Sequence, residues 1–459
     1  MDLTRCLSAF VCLRRRATAG PHITSRGDGS RTSASATHRD STKPIEHRTA
    51  HIHDAAMLSA ASSLPVVVCD MGTSTTRLGY AGNSEPTFVQ PTVCAWAEHL
   101  SYETLHIGHE AIQRLRSTIT TASAMHRCRL LDHGTVVDWN LYEEYWRHLF
   151  NRHLCLESSD VGVVLAEAAT AAPSQRELTA EILFESFGVP QLSIRSQALF
   201  ALSSVGRGSD TGLVVESGAG VTEVVPVVDG YALHSAAQRF PLAGEDVTQY
   251  VLDSLREHAC NPEAECAWDV AEQVKRLHCY VASDIVEERA RFDAGPPAHI
   301  IHHRAVHSRT GQPYEVEVGY EQFLAPEVML RPTLLQPQWA ATLPNRMDAA
   351  VWACPVDCRR RLYANVVVTG GNMRFPGLSR RLECALSKLL EERAAGFSAA
   401  SKGTQVKPVD CQVHVTDCSH DLSAVWKGGS LFGASPRFAA EAVTRAAYQE
   451  RGCFSRDAV

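Results

Sequence analysis

One pattern of residues occurs twice in this chain of 459 residues, and it limits the possible folds more than any other feature. Residues 65–82 read PVVVCDMGTSTTRLGYAG, and residues 211–230 read TGLVVESGAGVTEVVPVVDG. In each copy an apolar run ends at an acid, a turn of small residues follows, and a second apolar run begins. This order predicts a buried strand, a tight turn and a second strand. When Asp70 is placed on Glu216, Gly72 falls on Gly218 and Thr76 on Thr222.

The two predicted turns have the composition of phosphate-binding turns. Small side chains let a phosphate approach the backbone N–H groups, and a nearby acid can hold Mg²⁺ through water. A single copy of this pattern is usually an ordinary hairpin without a ligand. Two matched copies predict a duplicated α/β fold with a nucleotide held between its halves.

Two strand-to-helix or loop-to-helix junctions support the same interpretation. Residues 363–377, YANVVVTGGNMRFPG, predict a strand that runs into a Gly-Gly turn before a helix, and residues 241–255, PLAGEDVTQYVLDSL, predict a helix after Gly244. Glycine at such a junction lets a ligand approach the helix N-terminus. A connection without a ligand remains the alternative. Lys275, on a further predicted helix, either reaches a ligand or is a solvated lysine.

The distribution of charge separates the first 56 residues from the rest. They contain nine basic and five acidic residues, whereas the remainder contains 35 basic and 46 acidic ones. Residues 1–56 are predicted to be a disordered basic extension, which is either a targeting segment or untranslated, with Met57 as the true start. The acidic body argues against nucleic acid as a partner, and no apolar run is long enough for a membrane span.

Several segments resemble, in order and spacing, the motifs of the actin superfamily. Those of the nucleotide site are CDMGTSTTRLGYAG, ESGAGVTEVVPVVDGYAL, LAGEDVT, VVVTGGNMRFPG and AVWKGGSLFGAS. The segment FESFGVPQLSIRSQALFAL resembles the one that carries the family's water-orienting glutamine. The resemblance extends over residues 64–459.

The resemblance implies an α/β fold of the actin-like ATPase type, with two duplicated ribonuclease-H-like domains, four subdomains and a nucleotide cleft between the halves. The first domain would comprise residues 64–204 and 423–459, with an insertion at 93–129. The second would comprise residues 205–422, with an insertion at 242–336.

The resemblance also implies ATP and Mg²⁺ as cofactors and assigns the residues of the site. Gln197 would orient the attacking water, Glu216 would be the catalytic acid, and Asp70 would hold Mg²⁺ through water. The nucleotide-binding residues implied are Asp70, Gly72, Thr73, Arg77, Gly218, Gly220, Thr222, Gly244, Lys275, Gly370, Gly371 and Phe375.

Seven positions depart from the family pattern. In the first turn, Ser74 stands where glycine is usual and Arg77 stands in the place of the phosphate-contacting lysine. Glu216 stands in place of an aspartate, and the remaining four replacements remove groups near the water or the nucleoside. Binding through backbone N–H groups and metal survives such changes more easily than hydrolysis does, so the expectation is ATP binding with weak or absent ATPase activity. The other replacements are Ala219 for aspartate, Glu223 for histidine, Arg276 for glutamate and Leu422 for lysine.

Within the superfamily, four segments resemble the actin-related proteins of the actin-nucleating 2/3 complex: YAGNSEPTFVQPTVCA, DHGTVVDWNLYEEYW, EVGYEQFLAPEVMLRP and CPVDCRRRLYANVVVTGG. This implies a structural subunit that templates branched filaments beside actin-related protein 2. Its partners would be the other subunits, actin filaments and nucleation-promoting factors, in the cytoplasmic actin cytoskeleton. The alternatives are another actin-related protein, divergent or in a nuclear chromatin-remodelling assembly, and a sugar-kinase-like phosphotransferase.

Overall fold

A computed structural model describes most of the chain after residue 63. The described residues are 64–97, 105–118, 125–205, 210–257, 267–295, 299–307, 310–400, 411–452 and 454. The predictions for residues 1–56 and for a start at Met57 lie outside them.

The first large sheet contains six strands, in the order β19, β10, β9, β1, β2 and β3. Their bounds are β1 (Val66–Met71), β2 (Thr75–Tyr80), β3 (Phe88–Pro91), β9 (Gly162–Glu167), β10 (Gln191–Ser196) and β19 (Val443–Thr444). The strands β1, β2 and β3 are antiparallel neighbours, whereas β9 runs parallel to both β1 and β10.

The second large sheet has the order β13, β12, β11, β17 and β18, and β14 also pairs with β12. Their bounds are β11 (Gly212–Ser217), β12 (Thr222–Val228), β13 (Tyr231–Ala232), β14 (Gln238–Phe240), β17 (Val366–Thr369) and β18 (Val415–Asp417). Here β11 and β12 are antiparallel, and β17 runs parallel to both β11 and β18.

The two large sheets therefore repeat one plan. Each begins with an antiparallel hairpin, β1–β2 or β11–β12, and continues with two parallel strands on the other side of the hairpin's first strand. The central strands are buried on both faces, which explains why they read as continuous runs of valine rather than as alternating patterns. This duplication agrees with the predicted actin-like fold; the domain and insertion boundaries given above stay predictions.

Within the described residues, three smaller sheets accompany the large ones. Their strands are β4 (Val93–Ala97), β5 (His106–Ile107), β6 (Met125–Arg129), β7 (Leu131–Asp132), β8 (Thr135–Val136), β15 (Ile301–Val306) and β16 (Pro313–Val318). The pairings are β5–β4–β6, β7–β8 and β15–β16.

Helices connect the strands throughout the described residues. The α-helices are α1 (His109–Thr118), α2 (Trp139–His148), α3 (Pro173–Glu181), α4 (Gln197–Ser204), α5 (Gly244–Glu257), α6 (Ala267–His278), α7 (Ile285–Ala294), α8 (Glu321–Glu327), α9 (Leu343–Trp352), α10 (Val356–Ala364), α11 (Leu378–Ala400), α12 (Ala424–Gly433), α13 (Pro436–Glu441) and α14 (Arg445–Arg451). Shorter π and 3₁₀ turns span Leu149–Leu154, Ser158–Asp160, Ile182–Ser186, Pro332–Leu334 and Gly371–Met373.

One apolar cluster contains buried residues of both large sheets. Val68 and Val164 of the first sheet lie in the same cluster as Val214 and Val367 of the second. Helix α12 packs beside them, and its Trp426 donates a hydrogen bond from Nε1 to the Val68 carbonyl at 3.0 Å. The late segment that carries α12 is therefore built into the core around β1.

None of the helices that the structure describes is long and apolar enough to cross a lipid bilayer.

Candidate nucleotide site

The two predicted turns adopt the same backbone geometry. Gly72 donates its N–H to the carbonyl of Thr75 at 3.1 Å, and Gly218 donates its N–H to the carbonyl of Val221 at 2.8 Å. Each bond closes the hairpin one residue beyond the last strand pair. The turns therefore match in structure as they do in sequence.

The first and second turns lie in contact with each other. A Cβ added at Gly220 would stand 2.6 Å from Thr73 Oγ1. His133, in the turn between β7 and β8, adds a third element, because its Nδ1 lies 2.9 Å from the Gly220 carbonyl oxygen. The sequence interpretation missed His133, which lies 87 residues from its partner and follows no motif that marks a ligand.

Asp70 projects from the end of β1 and is 5% exposed. Arg77 is its direct neighbour across the hairpin, and Arg77 Nη1 lies 3.2 Å from Asp70 Oδ2. Gln197 Nε2 donates a hydrogen bond to Asp70 Oδ1 at 3.0 Å. Gln197 is the first residue of α4, and Ser196 caps that helix by accepting from the Ala198 N–H. The predicted metal-binding acid, phosphate-loop cation and water-orienting amide are thus adjacent.

Glu216 is the counterpart of Asp70 in the second hairpin. Burial, followed by the charges of Asp70 and Glu223, raises the pKa of its carboxyl well above the ordinary value, against the opposing effect of Arg77. The Glu216 carboxyl is therefore protonated more readily than a free one, and a cation placed nearby would have the opposite effect. In the described residues no cluster of three side chains encloses a metal, so water and phosphate would supply most ligands to Mg²⁺.

Glu223 is not available to the cleft as a free carboxylate. Its Oε2 accepts from the Ala169 N–H at 2.8 Å, and its Oε1 accepts from the Thr170 N–H at 2.9 Å and from the Thr170 hydroxyl. The side chain is 4% exposed. Both carboxylate oxygens are therefore used in binding the turn after β9.

The two glycine junctions lie against the second turn. Gly370 has φ +94°, and a Cβ there would stand 2.2 Å from the Ser217 carbonyl oxygen. Gly244 begins α5, donates its N–H to the Gly218 carbonyl at 3.0 Å, and would bring a Cβ 3.0 Å from that oxygen. Only glycine fits at Gly370, on both steric and conformational grounds. The sequence assigned these glycines to the ligand, and the structure gives them a packing role as well.

Asn372 is a second residue that the sequence interpretation missed. Its Nδ2 donates to Ser217 Oγ at 3.0 Å, and that hydroxyl lies 2.5 Å from Thr222 Oγ1. Its Oδ1 is buried without a hydrogen-bond partner. A buried acceptor beside the Gly370–Gly371 turn is suited to a donor group on a ligand.

The predicted nucleoside residues have different surroundings. Lys275 is 8% exposed, and its Nζ contacts Gly244 O at 3.0 Å, Thr248 Oγ1 at 2.6 Å and Glu272 Oε2 at 3.0 Å. Its ammonium thus holds the start of α5. Phe375 is buried in the core cluster of the second sheet, and Leu422 lies 3.8 Å from a Cβ placed at Gly371.

The structure thus brings together the two turns, Asp70, Arg77, Gln197 and the Gly370–Gly371 junction. Glycines allow backbone to approach a ligand, Asp70 lies beside Arg77 and Gln197, and the buried Asn372 Oδ1 acceptor is unpaired. These residues fit Mg-ATP.

Comparison with known proteins agrees with this geometry. The model of the Actin family matches residues 61–268 and 263–455. The chain belongs to the actin family.

Among its relatives are proteins named actin-related protein 3. The one from Dictyostelium discoideum is 35% identical over 406 residues, which cover 86% of this chain and 97% of the relative. That from Caenorhabditis elegans is 34% identical over 420 residues, 86% of this chain and 96% of the relative. That from Acanthamoeba castellanii is 35% identical over 421 residues, which cover 85% of this chain and 96% of the relative.

Proposed function

We propose that this actin-related protein is an ATP- and Mg²⁺-binding structural subunit of an actin-nucleating complex of the actin-related protein 2/3 type. In this proposal it lies beside actin-related protein 2, and the pair resembles the end of a filament from which a branch grows. The other subunits, actin filaments and nucleation-promoting factors are its partners, and the cytoplasmic actin cytoskeleton is its location. The names of its relatives support the type of complex.

The observation that carries the nucleotide part of the proposal is the contact between two matched turns, at Thr73 and Gly220. Both turns consist of small residues, which let a phosphate approach the backbone, and Asp70 lies beside the first. A phosphate chain lying against both turns would touch both large sheets and so favour their closed arrangement. Bound Mg²⁺ would neutralise phosphate charge there.

The surroundings of Gln197 favour binding without rapid hydrolysis. Gln197, the predicted water-orienting residue, is positioned by the hydrogen bond from its Nε2 to Asp70 Oδ1. Ala219 has no polar side chain, and both Glu223 oxygens already accept hydrogen bonds from Ala169 and Thr170. A role as a template needs the shape that ATP stabilises rather than its cleavage.

Thermal unfolding with and without Mg-ATP tests nucleotide binding. A site that binds only the folded protein raises the melting temperature by mass action. Gly371→Trp should abolish that rise, because its side chain would enter the space beside Leu422. The matched control is Gly396→Trp on α11, where nothing lies within 4 Å of an added Cβ. No rise in the unmutated protein would contradict the proposal.

The native mass and subunit list of the protein purified from its own cells test the assembly. A complex of several subunits that includes actin-related protein 2 is the expected result. Recovery of the chain alone, or with chromatin-remodelling subunits, would contradict this part of the proposal.

A further inference from the structure

The hydrogen bonds of Glu223 connect the two large sheets directly. Glu223 belongs to β12 of the second sheet, whereas Ala169 and Thr170 form the turn immediately after β9 of the first. Three donors of that turn point at one carboxylate. The connection therefore joins the carboxyl end of a central strand of one sheet to the hairpin of the other.

A second contact reinforces the same turn. His234, which follows β13, places Nδ1 3.0 Å from the Ala169 carbonyl oxygen. Ala169 is thus held on both its N–H and its C=O by side chains of the second sheet's hairpin region. A turn bound at both backbone groups has little freedom to move independently of that sheet.

A buried carboxylate is stable only where donors surround it, and here three donors do so. Bonds to a charged acceptor are stronger than those between neutral groups. If the carboxylate were replaced, two backbone N–H groups of the turn would lose an acceptor in a buried place, which is costly. The arrangement is complete within the chain and uses no ligand group.

We propose that Glu223 is a positioning residue that fixes the turn at residues 168–171 to the second sheet and so joins the two sheets at the base of the cleft. The effect on nucleotide exchange rests on the proposed function; the effect on the turn does not. Because these bonds run from one sheet to the other, relative motion of the sheets at this point would have to break them.

Amide hydrogen exchange in the nucleotide-free full chain tests the proposal. The Ala169 and Thr170 amides should be protected in the unmutated protein. Glu223→Gln, which replaces one acceptor by a donor, should speed their exchange at least about tenfold, while amides of β1 and β11 change little. Thr170→Val removes only the hydroxyl donor and should have a smaller effect. The matched control is Glu391→Gln at an exposed position of α11.

Unchanged exchange at these two amides in Glu223→Gln, or no protection in the unmutated chain, would overturn the proposal. Loss of protection along β1 and β11 as well would do so too, because it would show general unfolding rather than release of one turn. Release of a bound fluorescent ATP analogue should also become faster in Glu223→Gln. If the analogue does not bind at all while the turn is released as expected, the proposed nucleotide function fails and the positioning role stands.

Discussion

Thr73 Oγ1 lies only 2.6 Å from the point where a side chain would begin at Gly220. The two residues come from turns of different sheets, and their contact sets how closely the sheets approach at the cleft. A glycine is required there by its neighbour rather than by its own backbone angles, since Gly220 is not among the glycines with positive φ.

Gly220→Ala should therefore destabilise the fold by about 1–3 kcal/mol, because the methyl group forces Thr73 or the turn to move. The measurement is the free energy of unfolding in urea. Gly396→Ala, in an open part of α11, is the matched control and should stabilise the chain by ~0.5–1 kcal/mol. Equal effects of the two changes would contradict the tight contact.

Lys275→Met should cost about 1–3 kcal/mol, because it removes the buried ammonium's hydrogen bonds to the Gly244 carbonyl, the Thr248 hydroxyl and Glu272. Arg276→Met, at the exposed neighbouring position of α6, should change the free energy of unfolding by less than ~0.5 kcal/mol. If Lys275 served only a ligand, the two variants would be equally stable without nucleotide.

The contribution of three partly buried histidines to stability should fall as the pH is lowered from about 6.5 towards 4, whereas the raised pKa of Glu216 acts in the opposite direction. Burial, with the charges of His153 and Arg152, lowers the pKa of His148 to about 4. Burial also lowers the pKa values of His278 and His303. His278 Nε2 lies 3.1 Å from His303 Nδ1.

The unfolded chain then binds protons near pH 6.5 that the folded chain takes up only at lower pH, so protonation favours unfolding across this interval. Over this pH interval, His148→Gln should reduce the loss in the free energy of unfolding by ~1–2 kcal/mol. This is less than the whole pKa shift would give, because the ring is partly solvated. Melting temperatures at a series of pH values measure this. An identical decline in the variant would show that His148 does not contribute.

Hydrolysis of ATP should be slower than in filamentous actin, because Ala219 supplies no carboxylate and Glu223 is occupied. Losing one well-placed polar group costs ~10²–10³ in rate, and losses around one water need not add. Phosphate release from the assembled, activated complex, with labelled ATP confined to this subunit, measures the rate. Restoring Asp, Asp and His together at Glu216, Ala219 and Glu223 should raise it; release at an actin-like rate from the unmutated protein would refute the prediction.

The hairpins and their turns were predictable because their geometry is local. An apolar run, an acid and glycines within a few residues determine a strand and a turn, and Asp70 and Glu216 occur at equivalent positions in both copies. The strand before the Gly-Gly turn, β17, was predicted in the same way, whereas the parallel pairing of β9 and β17 with the hairpin strands was not.

The contacts that complete the site were not predictable from spacing. Glu223 meets Thr170 across 53 residues, and His133 meets Gly220 across 87. Such pairs depend on how distant segments pack, and a glutamate or histidine in isolation gives no sign of its partner. For the same reason, the three partners of the Lys275 ammonium within the protein were not predictable from the sequence.

Trp426 and Val68 are 358 residues apart in the chain, yet their hydrogen bond lies inside the core. During synthesis, β1 leaves the ribosome long before α12 has been made. The edge of β10 likewise stays unpaired until β19 has been synthesised. An early sheet with an open edge and an uncovered apolar face is prone to wrong pairing. Efficient production of this protein therefore depends on protecting the nascent chain until its final segments emerge, and shortening the chain before α12 would produce an aggregating polypeptide rather than a smaller working one.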